Sequence, residues 1–580
     1  MNVLVILFSS AAVFYLGYRF YARFIETVFD VDGSHTTPAV EIDDGVDYVP
    51  SRQFVVFGHH FASIAGGGPI IGPTVALVFG YVPVWLWIVL GTLFIGAVHD
   101  FSALLASMRE GGRSIAEIAK KILGPAGFLL FIGFTIIMLV MVTSVFLTLT
   151  STALSSKYPI SYFGEGMAGI RTIVENGVTY AVIGGIASTS VMIITLCSPL
   201  VGFLLYKKGI NTIVASVLAI GICMVSIEIG LLFPLKIDPL VWMVILSFYT
   251  LIAAGVPVWI ILQPRDFTNS FLLYGGIAGL LVGAVIMGFN GGEIHAPATN
   301  LAFAKIHLGH LWPILFITVA CGAISGFHSL VAGGTTAKQI SKEKPDAKVI
   351  AYGGMVLEAL LALGVLIALC VGIEYSQYTA LVFPSDPSVK SNPILAFALG
   401  MGGLLHKTTG LSLVFGTVFG ILIVEGFVVT TLDTAVRLNR YLLEELWRML
   451  FKNVPRVLNS YIFNSFLCVM LMFVLAYYNA FKQLWQLFGA ANQLLAALTL
   501  LTVSAWLMKK GKHYLFVLIP SLFMMVTTIA ALGMVLVNDY IPKKNGMLAA
   551  GDILLIALAL GVILLTINLL CRNKTRPREA

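Results

Sequence analysis

Between Phe54 and Tyr81 the chain reads FVVFGHHFASIAGGGPIIGPTVALVFGY, a hydrophobic stretch whose middle holds Gly66, Gly67, Gly68 and Pro69. Consecutive glycines and a proline interrupt helix, and lipid cannot hydrogen-bond the amides and carbonyls this releases. The backbone here has to face protein or a watery cavity. Breaks of this kind in membrane proteins usually build a substrate or ion site. The competing use of the glycines, close approach of neighbouring helices, accounts less well for a segment whose proline also removes a donor.

Composition places the rest of the chain in the same solvent. Hydrophobic residues make up 58% and charged residues 11% of 580, where soluble proteins carry about 25% charged. Stretches long enough to cross about 30 Å of hydrocarbon lie near 3–22, 54–80, 84–107, 124–150, 179–206, 210–233, 239–262, 271–290, 312–333, 350–373, 410–436, 461–480, 483–507, 513–537 and 550–571, fifteen in all. Lys and Arg gather in alternate connections, among them Arg19 and Arg23, Arg109 to Lys121, Lys207 and Lys208, Arg265, Lys338 to Lys348, Arg437 to Arg456, Lys509 to Lys512, and Arg572 to Arg578. By the positive-inside rule the N-terminus is expected outside and the C-terminus in the cytoplasm. This bias accounts for most of the net charge of +7, so no nucleic-acid partner is called for.

Connections this short leave no room for a soluble catalytic or nucleotide-hydrolysing domain, and no G-x-x-x-x-G-K-[ST] loop occurs. The expectation is a carrier in the bilayer and not an enzyme. The first span has neither a basic start nor a small-residue cleavage site and is read as a mature helix. The six cysteines lie in or at the ends of spans with no disulfide or zinc spacing, so no metal ligand set and no resident cofactor are expected.

A second interrupted span, WPILFITVACGAISGFHSLVAGGTTA at 312–337, has glycines at 322, 326, 333 and 334. A shift of 267 residues lays Ala65-Gly66-Gly67 on Ala332-Gly333-Gly334. On the charge-derived topology the two spans run in opposite directions, as an inverted repeat requires.

The segments DGVDYVPSRQFVVFGHHFASIAGGGPIIGP (44–73) and GYVPVWLWIVLGTLFIGAVHDFSALLASMREGGRSIAEIA (80–119) resemble the signature region of the carbon starvation protein A (CstA) family, with the resemblance continuing to the C-terminal helices. It implies a plasma-membrane carrier of the amino acid–polyamine–organocation superfamily. The expected fold is an all-α polytopic membrane protein of about 15 transmembrane helices, with a LeuT-like inverted-repeat core, two discontinuous helices and extra helices. The family is associated with uptake of peptides and pyruvate on carbon starvation, with coupling to protons or another cation expected. If 54–80 and 312–333 are the first and sixth core helices, 410–436 becomes the eighth. Such cores commonly hold sodium between the first helix's unwound carbonyls and hydroxyls of the eighth, here Ala62 and Ser63 facing Thr430 and Thr431. Paired threonines also bond back to their own preceding turn.

Half-helix N-termini carry unpaired N–H donors and partial positive charge. Gly66, Gly67 and Gly68, with Ser63, His328, Gly333 and Gly334 opposite, are therefore the expected receptors for a substrate carboxylate. Ionisable residues inside spans are costly unless paired or hydrated. His59, His60, His99, Asp100, Glu228, His328, Glu358, Glu425 and Asp433 are such residues. Histidine titrates near neutrality, which makes His59, His60 and His99, with Asp100 or Glu358 as partner, the expected proton carriers.

Two other classes remain open at this point: a haem- or metal-binding electron-transfer subunit built on the histidines, and an ion channel with broken helices as filter. The expected organisation is a first helix and cytoplasmic loop (1–53), a first repeat (54–238), extra helices (239–311), a second repeat (312–510) and further C-terminal helices (511–580). The helices after 460 read as apolar scaffold, with a homodimer surface among their candidate uses.

Overall fold

The computed structural model describes residues 2–45, 47–162, 171–256, 260–385, 391–479 and 481–574, with backbone alone for residues 162, 206, 481, 482 and 569–574. The basic side chains from Arg572 to Arg578 fall outside this description. Apart from the short helix Pro38–Ile42, the helices in chain order are α1 Val3–Val28, α2 Gln53–Ile64, α3 Gly68–Ala76, α4 Tyr81–Arg109 and α5 Ile115–Leu154. They continue with α6 Ile183–Leu205, α7 Thr212–Leu232, α8 Pro239–Gly255, α9 Leu262–Phe289, α10 Leu301–His307, α11 Leu311–Thr318 and α12 Phe327–Gly334. The last are α13 Glu343–Gly372, α14 Tyr375–Val382, α15 Pro393–Thr409, α16 Leu413–Leu450, α17 Tyr461–Tyr478, α18 Gln483–Lys509, α19 Leu515–Tyr540 and α20 Gly546–Asn568.

Among the described residues 12 helices are long and apolar enough to cross a membrane, or up to 14 if each of two bent pairs counts as one span. The stretch expected at 239–262 forms a 17-residue helix, α8. An apolar helix that the span count passed over, α15, lies between α13 and α16. The expected all-helical chain also carries a small antiparallel sheet after α5, of strands Tyr158–Pro159, Val178–Ala181 and Thr172–Glu175 in that spatial order.

Local chemistry explains the long elements. The 40-residue α5 is two helices joined at Gly124, whose φ of 80° only glycine adopts easily, followed by Pro125. The 38-residue α16 starts at Ser412, whose side chain caps the amide of Phe415 at 3.1 Å. At about 1.5 Å per residue it is longer than the hydrocarbon core is thick. Basic connections meet on one face: Arg109 pairs with Glu343 at 3.0 Å, Lys348 with Glu26 at 3.2 Å, and Lys512 with Asp30. The sheet lies at the other end of α5.

Candidate functional site

The first break is written by three residue types. Helix α2 stops at Ala65, whose ψ of 62° leaves the helical region, and α3 restarts at Gly68 with Pro69 in its first turn, where a missing N–H costs nothing. The two halves meet at 41°. The last carbonyls of α2 have no partner within their own helix, and α16 supplies one: Thr430 Oγ1 donates to the Ala62 carbonyl at 3.2 Å, and Thr431 Oγ1 to that of Ser63 at 3.4 Å. Both hydroxyls also reach their own preceding turn, Thr430 to Gly426 O at 2.9 Å and Thr431 to Phe427 O at 3.0 Å. The four expected ion-site residues are thus brought together, with hydroxyl and carbonyl oxygens already sharing protons.

The second break runs from Val319 to Gly326, between α11 and α12. Its loose ends are met by α18. Asn492 accepts the Phe327 amide on its side-chain oxygen at 2.9 Å and the Gly326 amide on its backbone carbonyl at 3.0 Å. Gln493 donates to the Val319 carbonyl at 3.2 Å. A helix read as apolar scaffold therefore carries the two amides that hold this break open. The two breaks cross in direct contact. A Cβ added to Gly68 would lie 2.4 Å from Cys321 Cβ and Sγ, and one on Gly322 would lie 3.6 Å from the Pro69 Cα.

Two buried charge networks flank the crossing. In the first, Asp100 on α4 accepts from His99 Nδ1 at 2.7 Å and from His328 Nδ1 at 2.8 Å, and the far nitrogen of His328 lies 3.3 Å from Glu358 on α13. His60 joins α2 to this side through Thr336 at 2.8 Å. In the second, His59 on α2 lies 3.3 Å from Asp266 on α9, and Arg265 bonds Asp266 at 2.9 Å and Asp433 on α16 at 3.1 Å. Tyr249 donates to Asp433 at 2.8 Å. All of these charged groups are buried, so each must be met by an opposite charge or a proton.

Further polar groups surround Gly66 to Gly68. A Cβ on Gly67 would meet Val428 Cγ2 at 3.0 Å, and one on Gly66 would meet Thr431 Oγ1 at 2.9 Å. Glu425 lies one turn before Val428 on α16, fully buried, and neither of its oxygens makes a hydrogen bond among the described residues. Ser63 Oγ and Thr150 Oγ1 are likewise buried and unbonded. Beyond Glu425 stands Tyr158, 3.4 Å from the Asn392 amide. Burial holds the Tyr158 phenol above its ordinary range, and the nearby Glu425 carboxylate adds to this.

One sequence expectation is corrected. Gly333 and Gly334 do not face the first break. They sit inside α12 at its basic end, where with Tyr48, Lys338, Leu438 and Arg448 they line a cleft of about 270 Å³. The identity-based alignment paired them with Gly66 and Gly67, but helix is lost seven or more residues earlier, and Cys321 and Gly322 are what the first break meets. Asp100, expected as a histidine's partner, meets His99 and His328, and Asp433, noted as an acid inside a span, meets Arg265; both are fully buried. Sequence reasoning left Cys321, Arg265, Asp266, Asn492 and Gln493 out of the site. Arg265 had been read as a loop charge, and the two amides carry no charge to draw notice.

The family model described as Carbon starvation protein CstA matches residues 2–387 and 375–531. The chain is 31% identical over 602 residues to a protein of Bacillus subtilis (strain 168) named Peptide transporter CstA, covering 97% of this chain and 96% of that protein. It is 30% identical over 630 residues to one of Escherichia coli (strain K12) named Pyruvate/proton symporter BtsT, covering 94% and 83%. Among solved structures, an Eremococcus coleocola manganese transporter superposes with a TM-score of 0.47 at 11% identity, covering 91% of this chain and 99% of that one. MhsT in complex with L-phenylalanine gives 0.47 at 12%, covering 88% and 99%. Relatives named as transporters lend nothing to the channel or haem readings.

Proposed function

The chain belongs to the carbon starvation protein CstA family, and on that premise we propose that it is a secondary active transporter importing a small carboxylate nutrient, a short peptide or pyruvate, during carbon starvation. Transport proceeds by alternating access and is driven by protons. The protein spans the inner membrane of a prokaryote with its N-terminus outside and its C-terminus in the cytoplasm, an orientation supported by the basic connections that meet on one face.

The observation that carries this reading is the direct crossing of two broken spans, Gly68 against Cys321. Once the spans part, the Gly67 and Gly68 amides at the start of α3 receive the carboxylate, since Pro69 has no N–H and the Ile70 and Ile71 amides already bond the Gly67 carbonyl, with Ser63 beside them. Glu425 and Thr150, one turn toward Tyr158, offer partners to the rest of the substrate. The driving proton exchanges at His59 and Asp266. A proton on His59 gives Asp266 a second cation and loosens its hold on Arg265, which then settles on Asp433. The link among α2, α9 and α16 is thereby tied to proton occupancy.

Reconstitution into proteoliposomes tests the reading. Labelled dipeptide or pyruvate is expected to accumulate under an inward proton gradient and not under a sodium gradient alone. Asp266→Asn is expected to lose accumulation while keeping counterflow exchange. If folded protein accumulates neither substrate, or responds only to sodium, the proposal fails.

A further inference from the structure

We propose that Cys321, His328 and Glu358 form a binding site for a zinc-class divalent cation at the point where the second broken span meets α13. One ligand atom from each lies within 4.8 Å of the other two, and all three residues are buried. The donors come from the unwound break, from the first turn of α12 and from α13, so an ion held here ties a broken span to a continuous one. This site is independent of the transport reading.

Three observations point to a shared ion. His328 Nδ1 is occupied by Asp100 at 2.8 Å. That leaves Nε2 as the free nitrogen, its ring held by a carboxylate in the way metal-ligating histidines usually are. His328 Nε2 and Glu358 lie 3.3 Å apart, yet no hydrogen bond joins them, and the Cys321 thiol is the ring's other neighbour. Glu358 has no hydrogen bond on either oxygen, and the Asn492 amide stands 3.7 Å from Cys321 Sγ, placed to steady a thiolate.

Thiolate, imidazole and carboxylate together select zinc or cobalt(II) over magnesium or calcium, which take oxygen ligands. Bond lengths of about 2.0–2.3 Å require the donors to close by about 1 Å. As Sγ takes the ion, the thiol proton leaves to solvent, and thiolate and carboxylate then balance the divalent charge.

Purified full-length protein in detergent, stripped with chelator, would be titrated with cobalt(II) and zinc. One ion per chain and a near-ultraviolet thiolate-to-cobalt charge-transfer band are expected. Cys321→Ser should abolish the band, Glu358→Gln should weaken binding by about tenfold or more, and Cys223→Ser, whose thiol faces Thr268, should change neither. Absence of the band from wild type, or its survival in Cys321→Ser, overturns the site. Should Cys321→Ser not fold, unchanged affinity in Glu358→Gln does the same.

Discussion

Arg265 holds a guanidinium at full burial, and such a charge is stable only where it is met. It is met by Asp266 and by Asp433, which also accepts from Tyr249. Asp433→Asn removes one charge and leaves the guanidinium undercompensated, so it should cost about 3–5 kcal/mol, read as a fall in unfolding midpoint in detergent. Replacing both partners, Arg265→Met with Asp433→Leu, should recover part of that loss in a double-mutant cycle. The pair was not legible beforehand because its members are 168 residues apart and because an arginine among loop charges reads as a topological marker. The histidines and acids of the other network were legible, since any ionisable group at membrane depth needs a partner. Which partner each has is a matter of packing, and that is not written locally.

The least expected element is α15. Its sequence PILAFALGMGGLLHKTT is apolar but short, and its glycines mask helical character. Those glycines are what seat it. A Cβ on Gly372 would fall 1.9 Å from the Gly400 carbonyl oxygen, and one on Gly403 would fall 1.9 Å from that of Gly372, so α13 and α15 touch backbone to backbone as small residues allow. Gly372→Ala must push them apart at a cost of about 1–3 kcal/mol. Faster hydrogen exchange confined to α15, with α13 still protected, is the expected result. The broken spans themselves were readable because glycine and proline act on the backbone directly. The second break was placed too late because its edges depend on Asn492 and Gln493 of a helix more than 150 residues away.

At the scale of the molecule, the cleft at Gly333, Gly334 and Leu438 lies on the basic face, and Tyr158 with Asn392 closes over Glu425 toward the sheet. In a background lacking Cys197 and Cys571, a membrane-impermeant maleimide should label Leu438→Cys only in inverted vesicles. Val174→Cys, on the exposed strand Thr172–Glu175, should react only in intact cells. Reversed labelling would invert the proposed orientation. The many-spanning helical class was legible across the chain because hydropathy is local, though fifteen spans were counted where the described residues carry 12 to 14. The way α9, from the segment read as extra helices, packs on α2 and α16 was not. Where Gly68 presses on Cys321 there is no space for even one more methyl group. Cargo that seats there, as proposed, must first prise the strands of the clasp apart, so entry and parting are a single event.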